Sequence, residues 1–155
     1  MQIQFNKVYN YEVKDYGFDG LDNDLVIDIF KDGRVFSHFS ELLLENLFPE
    51  LVYVDEKGYD FTREGCPNLD AKTFTKASGL EICPSNMLGQ GRVFDQEKFE
   101  GTALSQDYII TDNSVFPHLK IVFVHGKDVI EEYPKGKVTN AKRKQFWEKY
   151  EEIST

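Results

Sequence analysis

The sequence predicts an α/β domain in which a central mixed β-sheet is covered by helices. Three observations point there. Phe36, Phe39, Leu43 and Leu47 recur at helical spacing. Short apolar runs broken by turn residues follow, and two β-branched runs lie further on. The chain then closes on a helix with one aromatic face, so helices and strands alternate in the way that packs helices onto a sheet. A length of 155 residues suits one domain, 1–155, able to bury about 70% of its unfolded surface.

In chain order, Ile3 to Val13 alternates loosely as a strand would, and Tyr16 to Asp24, with its glycines and aspartates, reads as a loop. Leu25 to Phe30 fits either strand or helix, and Lys31-Asp32-Gly33-Arg34 is a turn that ends it. Ser37 to Phe48 is expected to be a helix, with Ser37 or Ser40 as cap and Pro49 as stop. Leu51 to Val54, Tyr59 to Thr62 and Leu69 to Thr75 read as three antiparallel strands joined by tight turns. Pro84 to Phe99 holds two glycines, so a helix there is expected to be short or interrupted. Tyr108 to Thr111 and Leu119 to Val124 are expected as central strands around a loop at Pro117. Thr139 to Ile153 places Phe146, Trp147, Tyr150 and Ile153 on one helical face.

Composition excludes several classes. With 41% hydrophobic and 14% aromatic residues the chain is not disordered, and no apolar run approaches the roughly 18 residues of a membrane span. The opening residues lack the plan of a signal peptide, so a cytoplasmic protein is expected. Cys66 and Cys83 lack the spacing of a zinc knuckle or redox motif and are expected to be reduced thiols. The net charge of −9 argues against a nonspecific nucleic-acid coat, yet it is uneven: −6 over residues 1–50, −5 over 51–114 and +2 over 115–155.

The chemistry concentrates in Tyr59-Asp60-Phe61 and Asp70-Ala71-Lys72-Thr73-Phe74-Thr75. Side chains alternate along a strand, so Asp70 and Lys72 share one face. If the preceding strand runs alongside, Asp60 comes level with Asp70 and two carboxylates converge. Such a pair suits Mg²⁺, which binds one or two carboxylates together with water and a substrate phosphate. Lys72 would then orient or deprotonate a nucleophilic water, and the reaction implied is phosphodiester hydrolysis. Acid-x-Lys also occurs at Glu12-Val13-Lys14 and Asp55-Glu56-Lys57, but only Asp70-Ala71-Lys72 has an acid in register upstream. An exposed carboxylate–lysine pair on a sheet is the structural alternative.

The spacing Asp60, nine residues, Asp70-x-Lys72 resembles the PD-(D/E)XK nucleases, and more narrowly the type II restriction endonucleases. The likeness is at the level of motifs and covers roughly residues 36–125. Asp70-Ala71-Lys72-Thr73-Phe74-Thr75 is similar to the Asp-x-Lys-Thr-aromatic-Thr strand of some blunt-cutting members, whereas Tyr59 stands where the family pattern has Pro. The resemblance implies a restriction-endonuclease-like α-β-α fold, a catalytic triad of Asp60, Asp70 and Lys72, and Mg²⁺, with Mn²⁺ able to substitute, on Asp60 and Asp70. It also implies that a helical acid, Glu41 or Glu45, joins the metal shell, and Glu45 is the choice here.

After the strand, Lys76, Ser78, Ser85, Asn86, Gln90 and Arg92 are residue types that contact bases or phosphates. Lys135, Lys137, Lys142, Arg143 and Lys144 could add phosphate contacts. His38, His118 and His125 are scattered and expected to be structural. The expected partner is double-stranded DNA, met by a homodimer because cutting both strands needs two sites. A junction resolvase or repair nuclease could use the same triad. A non-enzymatic acidic DNA mimic of the anti-restriction kind is the alternative from another class.

Overall fold

The computed structural model describes residues 1–84, 87 and 91–154, excepting the side chains of Asp55 and Ser154. Its elements in chain order are β1 (Val8–Glu12), α1 (Asn23–Lys31), α2 (Gly33–Leu47), β2 (Val52–Glu56), β3 (Tyr59–Thr62), β4 (Leu69–Phe74), β5 (Leu80–Glu81), α3 (Gln96–Ser105), β6 (Asp107–Val115), β7 (His118–His125), α4 (Gly126–Glu132), β8 (Lys137–Val138) and α5 (Arg143–Ser154). A 3₁₀ turn, Asn140–Lys142, leads into α5.

Six strands form one mixed sheet in the order β1-β7-β6-β4-β3-β2. Only β4 and β6 run parallel; the other neighbours are antiparallel. Alternation sorts the apolar side chains into two cores. Tyr108, Ile110, Val122 and Val124 pack with Phe99, Val129, Phe146 and Trp147 from α3, α4 and α5. Ile109, Ile121, Phe123, Phe61 and Leu69 pack with Leu44 and Phe48 from the region of α2. Helices therefore cover both faces, as the mixed α/β expectation required.

Several local expectations are corrected. The segment left open at Leu25 to Phe30 is helical, and Asp22 caps it by accepting from Asp24 N at 3.0 Å. Asp32, rather than Ser37 or Ser40, caps α2, accepting from Arg34 N at 2.9 Å. The Asp-Gly turn signal thus marks a break between two helices and starts the second one four residues early. Ser37 and Ser40 lie inside α2 and donate back to the carbonyls of Gly33 and Ser37. Of the stretch Pro84 to Phe99, where a short or interrupted helix was expected, α3 takes Gln96 onward and runs on to Ser105. Ile153 is 58% exposed and leaves the aromatic face to Phe146, Trp147 and Tyr150. The short elements α4, β5 and β8 carry no periodicity long enough to read.

Candidate active site

The three strands β2, β3 and β4 form the expected antiparallel meander, and its last turn is where the predicted triad comes together. Backbone pairing between β3 and β4 is confined to Phe61 opposite Leu69, both fully buried. Next to that rung the Asp60 carboxylate, not a backbone carbonyl, accepts from Ala71 N at 2.8 Å. The two strands fork there, and a side-chain acid satisfies the freed amide.

On β4, Leu69 and Ala71 face the α2 core, which turns Asp70 and Lys72 to the other side. The start of α2 is pressed against the end of this strand: a Cβ on Gly33 would lie 2.7 Å from Thr75 Cγ2. Lys72 Nζ stands 2.9 Å from Asp70 Oδ2, with the two side chains 22% and 14% exposed. Asp60 is in hydrogen-bonding contact with Asp70. Burial pushes the Asp70 carboxyl up to about 7; Lys72 opposes the rise and Asp60 adds to it. Burial and the neighbouring Asp60 thus favour the protonated form of Asp70.

These groups line a cleft of about 740 Å³ whose walls include Lys57 in the β2–β3 turn, Lys98 on α3, and Tyr108 on β6. Among the helical acids, the charge of Glu41 reaches Asp60. Its carboxyl is raised by burial and by Asp60, against hydrogen bonds from Tyr53 and His38. Glu45, the residue chosen from sequence, accepts from Tyr53 N at 2.5 Å and is spent on the β2 backbone. One helical turn separates the two, and only the packing of α2 decides between them.

The remaining sequence candidates scatter. Lys76 is exposed in the turn after β4, where its carbonyl accepts from Asn140 Nδ2 at 2.7 Å. Arg92 is exposed, and Ser85, Asn86 and Gln90 lie outside the described residues. Arg143 is withdrawn from the phosphate-contact set: it pairs with buried Asp112 at 2.5 Å and stacks over Phe74 at 4.2 Å. Trp147 Nε1 donates to the same Asp112 at 2.8 Å, making this trio part of the core. His38 sits 3.7 Å from Glu41. His125 contacts Asp107 at 3.1 Å and stacks on Phe5. Cys83 is buried and Cys66 exposed, both free thiols. Among the described residues, no three His, Cys, Asp or Glu side chains converge as a metal-binding group, and no helix is long and apolar enough to cross a membrane.

No protein-family model, curated protein or solved structure matches the chain. Function must therefore be reasoned from the site.

Sequence reasoning passed over Tyr108. The parallel register sets it directly beside Asp70 on the same face of the sheet. No local pattern separates it from the aromatic residues of the core; the pairing of β4 with β6 was the missing information.

Proposed function

We propose that the protein is a Mg²⁺-dependent endodeoxyribonuclease that hydrolyses phosphodiester bonds in double-stranded DNA. In this reading it is a cytoplasmic, site-specific enzyme of the type II restriction kind, working as a homodimer on a restriction-endonuclease-like form of the α/β fold. The observation that carries the reading is the contact of the Asp60 and Asp70 carboxyls at the β3–β4 fork, with Lys72 Nζ 2.9 Å from Asp70.

Two acids held together in a largely buried site repel once both ionise, so a cation is the natural complement. The donors are hard carboxylate oxygens, and the described residues offer two acids in contact rather than a full protein cage. That set suits Mg²⁺, which keeps several waters and takes further oxygens from a phosphate. Asp60 and Asp70 would hold the ion, with Glu41 as the nearby helical acid. When bound, it would supply charge stabilisation at the phosphoryl oxygens and a more acidic water. Lys72 would place an ammonium beside the attacked phosphate, and Lys57 and Lys98 would attract the flanking backbone.

Plasmid digestion with and without Mg²⁺ tests the proposal, comparing the parent with Asp70→Ala and Lys72→Ala. Discrete fragments that require Mg²⁺ and vanish in both variants are expected. Failure to cleave linear, supercoiled or branched DNA would overturn the enzyme reading in favour of an acidic DNA mimic. Cleavage restricted to branched or nicked DNA would replace restriction by resolution or repair.

A further inference from the structure

Tyr108 is the most enclosed polar side chain of the cleft. The residue is 1% exposed and lines the same cavity as Asp60, Asp70 and Lys72. Its hydroxyl is buried and meets no partner at full hydrogen-bond geometry among the described residues; the side chain of Gln106 is close enough to act on it as a donor. A buried hydroxyl without a partner is unfavourable, and native structures seldom keep one without a use for it. The β4–β6 register sets Tyr108 beside Asp70, and its ring packs in the same core cluster as Phe99 and Ile110.

We propose that Tyr108 is a substrate-binding residue whose hydroxyl donates a hydrogen bond to an anionic oxygen of the phosphodiester lodged against Asp70 and Lys72. This inference rests on the nuclease reading of the cleft. The chemistry favours a donor role. A phenol keeps its proton at neutral pH. It is uncharged, and therefore does not compete with Lys72 for the carboxylates. A preset donor in a site shielded from water stabilises the charge that develops on phosphoryl oxygens without reorganising. Cations on the cleft wall would draw the DNA backbone in, while the tyrosine reads the one phosphate that is cut.

Tyr108→Phe removes the oxygen alone and leaves the ring in the core. Parent and variant are compared on the same supercoiled plasmid in Mg²⁺ for kcat and KM, and without DNA for Tm. The expected result is a kcat lower by about 10²-fold with KM within twofold of the parent. Tm should stay level or rise by about 2–4 °C, because an unpaired buried hydroxyl has been removed. Parental kcat would overturn the inference and leave the nuclease reading intact. A fall in both kcat and Tm would also overturn it, assigning the hydroxyl to the fold. A parent protein that cuts no DNA would overturn the nuclease reading and the inference with it.

Discussion

At pH 8 and without divalent ions, Asp70→Asn should be more stable than the parent protein. Burial, opposed by Lys72 and assisted by Asp60, raises the Asp70 carboxyl from 3.8 to about 7. The folded protein therefore keeps a proton that the unfolded chain releases near pH 4. Asp70 favours the fold fully below that pH; the contribution erodes as pH rises and is lost above about 7. A rise of about three pH units at 1.36 kcal/mol each sets a ceiling of about 4 kcal/mol. Asparagine has the shape of the neutral acid and no charge to bury. It also strands Lys72, whose ammonium then loses its counter-ion, so the expected gain is about half the ceiling. A gain of about 2 kcal/mol corresponds to about 4–8 °C in Tm for a chain of this size. Thermal unfolding followed by circular dichroism in EDTA, from pH 4 to 8.5, measures it. The two curves should coincide near pH 4 and separate as pH rises. A variant less stable than the parent at pH 8, or a difference independent of pH, would refute the assignment of Asp70 as a strained, buried acid. The same variant should lose cleavage in Mg²⁺, so stability and activity move in opposite directions.

On the proposed nuclease reading, three further outcomes follow. Lys72→Met keeps the aliphatic stem and removes the ammonium, and single-turnover cleavage should slow by about 10²-fold or more. Glu41→Gln should lower the cleavage rate by about tenfold while Glu45→Gln leaves it within twofold, since the charge of Glu41 acts on Asp60 and Glu45 is bonded to the β2 backbone; parallel rate measurements separate them. Phe61→Ala empties the fully buried position at the one β3–β4 rung and should cost about 3–5 kcal/mol in urea unfolding, taking activity with it at 37 °C.

The β2–β4 meander and the meeting of Asp60, Asp70 and Lys72 were legible in the sequence because both depend on short-range rules: tight turns, alternation, and the fixed two-residue offset from Asp70 to Lys72. The start of α2 was misplaced because Asp32-Gly33 serves equally as a turn and as a cap, and the choice is made by α1 ending against it. Glu45 was preferred to Glu41 because a helix's periodicity does not say how it is rotated on the sheet. Arg143 looked like a surface cation beside Lys142 and Lys144; its role depends on Asp112, 31 residues away on a strand the sequence could outline but not register. The place of Tyr108 was hidden for the same reason, since it stands opposite Asp70 across a parallel pair. Long-range register, rather than local propensity, is what separates the residues found from those missed.

Anomalous diffraction from crystals of the protein soaked in Mn²⁺ would test most directly whether the acids of the β3–β4 fork are a metal centre. A manganese peak in contact with the carboxylates of Asp60 and Asp70, absent from crystals of Asp70→Asn, is the result expected. Manganese bound elsewhere or not at all, with the two carboxyls unoccupied by metal, would contradict it.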